Sequence, residues 1–305
     1  MFGHYSTSGI LCLILAFQIQ FALAQNRTGL FDPDAQVTRL AGDFAFTEGP
    51  AADEEGNVYF TDQPNNKIWK WSVDDELVLF TDQSGRSNGL YVDRQGRLLA
   101  CADMDNQLWR FDADAQPEIL ISDYEGKRLN GPNDLWIRPD GKIYFTDPLY
   151  ARDYWTRDPA MQQSGQYIYF FDPEIQKAPR VVDMEYVRPN GIVGNPEKNL
   201  LYVADIGDNK IYVYRMKKNG TLKKKKIFTA MGSDGMTIDE RGNIYLTGKG
   251  VTIFDPGGER IGHIPVEEGW TANVCFGGKN RDVLFITAST GLYSLKMNVK
   301  GMKRF

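Results

Sequence analysis

The sequence predicts an all-β protein: a six-bladed β-propeller whose blades are four-stranded antiparallel sheets. Three observations point there. First, one pattern recurs six times, with a polar residue, a short apolar strand, a turn commonly of the Asp/Asn-x-x-Gly kind, and a second β-rich strand ending in Thr-Asp or a close equivalent. Second, the repeats begin at 48, 88, 133, 190, 234 and 272, so the intervals are 40, 45, 57, 44 and 38 residues, each with room for four short strands. Third, no segment keeps a 3.6-residue apolar period, which argues against a strand-helix-strand architecture.

Taken in order, residues 1–24 read as a signal peptide, with an apolar run over 10–17 and a small-x-small cleavage signal at Ala22-Leu23-Ala24. Residues 25–35 form a short lead, 36–298 the propeller and 299–305 a C-terminal tail. In the first repeat "PAA", "NVYFTD", "KIWKWS" and "LVLFTD" are separated by "DEEG", "QPNN" and "VDDE", a four-stranded meander. The fourth repeat contains a hairpin around Asn219-Gly220, a two-residue turn signal. The sixth supplies three strands, ending at "GLYSLK". Its missing outer strand is expected from "QVTRLA", residues 36–41, which would close the ring and remove an open sheet edge.

Composition narrows the function classes. The 305 residues are 42% hydrophobic and 25% charged, with a formal net charge of -5 and no basic face interleaved with aromatics, so nucleic acid is not an expected partner. The two histidines are His4, inside the predicted signal, and His263, in an outer-strand context; a multi-His zinc site or a Ser-His-Asp triad is hard to build from them. Cys101 and Cys275 lie in strand-like runs and read as buried, inert thiols rather than a disulfide. Export to the periplasm or outside the cell is expected, with no membrane association after cleavage, a small-molecule partner, and a monomer or weak dimer.

In a propeller the first strand of each repeat lines the central channel, so the six leading residues meet at one mouth. They are Glu48, Asn88, Asn133, Asn190, Asp234 and a residue within Thr271–Asn273, with no Lys or Arg among them. Carboxylates and amide oxygens converging without a built-in cation suit one divalent ion. Ca2+ is favoured, then Mg2+ or Mn2+, and Zn2+ fits less well because it commonly takes nitrogen and sulfur donors. Taken singly, each Asn-Gly or Asp-Gly reads as a strand-entrance turn, although Glu48-Gly49-Pro50 is not a preferred turn. On this reading Asn133 offers its oxygen to the ion or a substrate, while Asp134 points away and supports its loop.

"FTEGP", "RLNGPNDL" followed by "DGKIYFTDP", "RPNGI", "GSDGMTIDERGNIY" and "NVCFGGKNRDVLFIT" occur in that order, and through them residues 38–296 resemble the gluconolactonase/regucalcin (senescence marker protein) family of six-bladed propellers. The resemblance implies a divalent cation at the channel mouth with Glu48, Asn190 and Asp234 in its ligand positions, and Asn133 on either metal or substrate. It also implies hydrolysis of sugar lactones and, in some relatives, of other lactones or organophosphates. A cation acting as Lewis acid on the lactone carbonyl, and Asp234 as general base toward water, is the expected chemistry, with activation of water by the cation as the competing route. The long third interval carries "LYARDYWTRDPAMQQSGQ" (149–166), in which Tyr150, Arg152, Tyr154, Trp155 and Arg157 are expected to form a lid and, with Asn88, to contact substrate. Two other functions share the fold: a non-catalytic sugar- or protein-binding propeller with a structural metal, and a hydrolase of another ester or phosphoester.

Overall fold

The computed structural model describes residues 29–303 apart from Lys177; the predicted signal peptide lies outside the described residues. Six four-stranded antiparallel sheets follow one another around an axis. Their innermost strands are Thr47–Ala52, Leu90–Val92, Leu135–Ile137, Pro189–Asn195, Met236–Ile238 and Thr271–Gly277. Five sheets are sequential meanders. The sixth is completed from the other end of the chain: Thr38–Ala41 pairs antiparallel with Gly291–Lys296, Thr38 opposite Ser294 and Arg39 opposite Tyr293, as the sequence predicted. A short hairpin, Asp123–Tyr124 with Lys127–Arg128, and one 3-10 turn, Gln63–Asn65, are the additions to the blades among the described residues. Val, Ile, Leu, Phe and Tyr from facing sheets fill the space between blades, and Tyr144, Tyr169, Tyr202 and Tyr245 are fully buried there. Cys101 and Cys275 are buried free thiols, and His263 lies on the outer strand Arg260–Ile264, where burial lowers its pKa.

The recurring residues have structural duties that differ from simple turn formation. The glycine after each leading residue sits where the next blade's backbone arrives. A Cβ at Gly49 would lie 2.1 Å from Asn88 O, one at Gly89 2.6 Å from Asn133 O, one at Gly191 2.6 Å from Asp234 O, and one at Gly235 2.0 Å from Asn273 Cγ. Three of these glycines also donate a backbone hydrogen bond across the gap: Gly89 to Asn133 O at 2.7 Å, Gly191 to Asp234 O at 2.7 Å and Gly235 to Ala272 O at 2.8 Å. Glycine is required there by proximity.

The Thr-Asp ending of the second strand divides its work. The threonine hydroxyl reaches the next blade: Thr61 donates to Asn88 O, Thr146 to Asn190 O and Thr247 to Ala272 O. The aspartate holds the incoming loop of its own blade: Asp62 accepts from the Ala45 and Phe46 N–H groups, and Asp147 from those of Asn130 and Gly131. Asp205, after alanine, does the same for Val187 and Arg188.

In the third blade the glycine is replaced by Asp134, and this corrects the expectation that Asp134 supports its own loop. Its carboxylate is buried and accepts from Leu135 N–H and, across the blade boundary, from Ile192 N–H at 3.2 Å. A side chain thus makes the inter-blade bond that a glycine N–H makes elsewhere.

The close approach carries a measurable cost for any added methyl group. Gly191→Ala should lower stability by about 2 kcal/mol, since its Cβ meets backbone that cannot yield cheaply. Gly269→Ala, whose Cβ has Ser289 Oγ as its nearest neighbour at 4.0 Å, should stay within about 0.5 kcal/mol of the parent. Urea unfolding midpoints of the two variants check the contrast.

Candidate active site

The ring of close approaches sets the leading residues side by side at one mouth. Glu48 is buried, and its Oε2 accepts from Gly49 N–H at 2.8 Å and from Asn273 Nδ2 at 3.3 Å. Asn190, also buried, donates from Nδ2 to Asp234 Oδ1 at 2.8 Å and to the Tyr150 hydroxyl at 2.9 Å. The other oxygen of Asp234, Oδ2, accepts from Trp270 Nε1 at 2.6 Å. Asn88 and Asn133 are buried and anchored through their backbones, Asn88 N–H to Cys101 O and Asn133 N–H to Thr146 O. Among the described residues their carboxamides have no hydrogen-bond partner, and neither do Glu48 Oε1 and Asn190 Oδ1.

Charge accumulates here without neutralisation. Burial pushes the Glu48 carboxyl well above its usual range, and the charges of Asp234 and Asp134 push it further. Burial likewise raises Asp234, against the opposing hydrogen bonds of Trp270 and Asn190 and the charge of Arg152. Asp134 rises to about 7, again by burial first, with Asp234 adding to it. Among the described residues none of the three carboxylates forms an ion pair with a lysine or arginine.

Among the described residues no three His, Cys, Asp or Glu side chains gather as metal ligands, so a nitrogen- or sulfur-rich centre is not built. Two carboxylates, buried Glu48 and half-buried Asp234, share the mouth with partnerless carboxamide and carboxylate oxygens. An all-oxygen set with mutually repelling acids fits a hard divalent cation, and Glu48, Asn190 and Asp234, with Asn133 beside them, are the residues able to hold it.

Over the mouth lies the 149–166 segment. Tyr150 touches Asn190 directly, and burial first, then the Asp234 charge, raises its hydroxyl to about 12. Asp103, buried, anchors the rest: Arg152 Nε lies 3.7 Å from Asp103 Oδ2, the Tyr154 hydroxyl donates to it at 3.3 Å, and Gln63 Nε2 at 3.4 Å. Arg86 stacks over Tyr154 at 4.4 Å and Arg157 over Trp155 at 3.4 Å. Trp155 lies against Arg157 and Gly131, at the edge of the Asp103 cluster, while Tyr150 and Arg152 are the lid residues nearest Asp234.

Trp270, Arg188, Asp103 and Asn273 were not singled out from the sequence. Asn273 was bracketed within Thr271–Asn273. Asp103 shows a signal in retrospect, since the second blade has Cys101-Ala102 where others have Thr-Asp, followed one residue later by an aspartate free to face the lid. A separate cavity of about 360 Å³ opens between the far halves of the inner strands, lined in part by Ala51, Val92, Trp136, Ile238, Phe276 and Met302; it is mainly apolar and does not reach Asp234 or Asn190.

Burial raises the Asp103 carboxyl from its ordinary 3.8 to about 6, although Arg152, Arg157 and Tyr154 oppose the rise. A carboxyl raised on folding favours the folded state while protonated, so its contribution is full below pH 4 and is lost as pH climbs through 6. The stability difference between the parent and Asp103→Asn should therefore move by about 2.5 kcal/mol against the parent between pH 4 and pH 7.5. Urea unfolding of both proteins at the two pH values measures it.

With this geometry in hand, comparisons with known proteins place the chain. Residues 46–290 match the family model described as the SMP-30/Gluconolactonase/LRE-like region. A gluconolactonase from Zymomonas mobilis is 29% identical over 302 residues, covering 89% of this chain and 84% of its own. The diisopropyl-fluorophosphatase of Loligo vulgaris is 28% identical over 253 residues, covering 72% and 78%. A solved gluconolactonase from Xanthomonas campestris superposes with a TM-score of 0.80 at 29% identity, covering 90% of this chain and 92% of its own. Regucalcin from Agrobacterium tumefaciens, described as a calcium-binding protein, shares the fold at a TM-score of 0.75 and 17% identity, covering 88% and 96%. The matched region takes in every innermost strand and every residue of the mouth, and the chain belongs to the SMP-30/gluconolactonase/LRE-like family.

Proposed function

We propose that this protein is a metal-dependent hydrolase that opens lactone rings, with sugar lactones of the glucono type as its substrates. The observation that carries the reading is the pair of carboxylates without an ion-pair partner among the described residues, buried Glu48 and half-buried Asp234, set beside oxygens without partners in a chain of this family. Glu48, Asn190 and Asp234 hold one divalent cation, Ca2+ by the hardness of the donors, and Asn133 completes the set or orients the substrate. When bound, that ion supplies Lewis-acid polarisation of the lactone carbonyl.

The rest falls to side chains of this chain. Asp234 takes the proton of the attacking water as the water oxygen bonds to the carbonyl carbon. The ring carbon–oxygen bond then breaks, and the departing ring oxygen takes a proton to give the hydroxy acid. Burial raises the basicity of Asp234, which suits this role, while a neighbouring positive charge opposes it. Trp270 and Asn190 each donate to one oxygen of Asp234, so the carboxylate is fixed in orientation before substrate arrives. The carboxamides of Asn88 and Asn133 are free to receive substrate hydroxyls. Tyr150, Arg152 and the stacked rings of the lid, Trp155 among them, cover the mouth and exclude bulk water.

A phosphoester reading has one specific observation in its favour, the similarity to the Loligo vulgaris enzyme named a diisopropyl-fluorophosphatase; the same centre would serve a phosphorus electrophile. A non-catalytic sugar-binding role is the remaining alternative, with the ion structural.

A pH-stat assay on a lactone panel, with metal analysis of the purified protein, separates these readings. Glucono-1,5-lactone should be opened, chelation should abolish turnover, and Ca2+ should restore it. Asp234→Asn should lose activity by about 10³-fold or more. A protein that carries metal yet opens no lactone would be a binding propeller. Trp270→Phe removes one hydrogen bond from Asp234 and should lower kcat/KM about tenfold with the unfolding midpoint unchanged, because the indole is partly exposed.

A further inference from the structure

Two arginines, Arg152 of the lid and Arg188 beside it, flank Tyr150, the lid aromatic that contacts Asn190. The Arg152 guanidinium lies 5.1 Å from the centre of the Tyr150 ring, and the Arg188 guanidinium also lies 5.1 Å from it. The same Tyr150 accepts a hydrogen bond from Asn190, which donates in turn to Asp234. Two guanidiniums therefore stand one tyrosine ring away from the proposed reacting centre. Arg188 is exposed, and among the described residues it forms no ion pair. Its backbone N–H is fixed by Asp205, so the start of its side chain is held at the mouth. Arg152 has Asp103 as an ion-pair partner at 3.7 Å, beyond hydrogen-bond distance, and its buried Nε makes no hydrogen bond.

Among the described residues neither guanidinium donates a hydrogen bond, so the N–H donors of both remain uncommitted beside Tyr150. Donors of this kind suit a planar carboxylate or a phosphate, and a neutral hydroxyl uses them poorly. Resting on the lactonase reading above, we infer that the substrate is an anionic sugar lactone, carrying a carboxylate or phosphate at the end remote from the ring carbonyl, and that Arg152 and Arg188 flanking Tyr150 select it. The two guanidiniums draw the anion to the mouth by long-range attraction, and they position it by hydrogen bonding once it arrives.

The experiment compares three substrates with the metal-loaded protein: glucono-1,5-lactone as the neutral probe, glucaro-1,4-lactone as the carboxylate and 6-phosphoglucono-1,5-lactone as the phosphate. At least one anionic lactone should have a kcat/KM tenfold or more above the neutral one, and which of the two leads identifies the anion. Arg188→Gln and Arg152→Gln should each cut that ratio about fivefold, through KM rather than kcat, and 0.5 M NaCl should cut it in the parent. A ratio near one in the parent, or variants that lose neutral and anionic turnover equally, overturns the inference while leaving the lactonase reading intact. If no lactone is opened, that reading fails separately, and calorimetric titration with glucarate and gluconate still decides the present one. Tighter binding of glucarate, abolished by Arg188→Gln, supports it, and equal affinities overturn it. Arg188 is exposed and outside the packed core, so its variant is expected to fold; an unchanged unfolding midpoint verifies this.

Discussion

Neighbouring inner strands run so close at the mouth that the backbone of one blade donates its N–H to the carbonyl oxygen of the next. Gly89, Gly191 and Gly235 make these bonds, and each lacks the methyl group that would collide with the next blade, with the acceptor carbonyl itself at Gly89 and Gly191 and with the Asn273 side chain at Gly235. This contact does more than join blades. It fixes the main chain immediately after Asn88, Asn190 and Asp234, and so fixes where those side chains project; the Gly49 N–H instead holds the Glu48 carboxylate. Threonines from the second strands of blades one, three and five add a side-chain bond to the next blade, so the boundaries that no glycine N–H crosses between the first and fourth blades are bonded as well. Residues separated by more than two hundred positions in the chain are thereby held as one constellation, as the Asn273–Glu48 hydrogen bond illustrates.

Rigidity of this kind permits an electrostatic arrangement that a looser scaffold would relax. Glu48 and Asp134 are buried and Asp234 is half-buried; desolvation raises the proton affinity of all three, the charge of Asp234 raises Glu48 and Asp134 further, and among the described residues no basic side chain is paired to them. Each would be several kcal/mol more favourable in water. The cost is tolerated because hydrogen bonds within the ring hold the groups in place, and it is the kind of cost that binding a divalent ion offsets. Asp134 differs from the other two. Its oxygens are engaged by Leu135 and Ile192, so it belongs to the scaffold and contributes to the site through its field.

The lid has its own centre of charge. Asp103 gathers Arg152, Tyr154 and Gln63; Arg152 and Arg157 of the segment lie over the rings of Tyr150 and Trp155, and Arg86, from the second blade's approach, lies over Tyr154. Among the described residues Arg152 and Arg188 donate no side-chain hydrogen bond, so the mouth combines an acidic floor suited to a cation with a basic rim suited to an anion. A substrate with an electrophilic carbonyl at one end and a negative group at the other matches both.

Much of this was legible in the sequence because a propeller is periodic. The recurrence of a polar leading residue, a turn and a Thr-Asp ending fixed the blade number, the phase of the inner strands and the identity of the mouth residues, and the shortfall of one strand in the last repeat pointed to closure by residues near Thr38. Local chemistry alone could not reveal that the glycines answer to neighbouring backbones, because that clash exists only once two distant strands meet. It could not show Asp134 reaching into the next blade, nor Trp270 and Arg188 turning toward Asp234 and Tyr150, since neither lies at a repeated position. Periodicity determines which residues share a phase, while side-chain partners across blade boundaries are decided by how closely the blades pack.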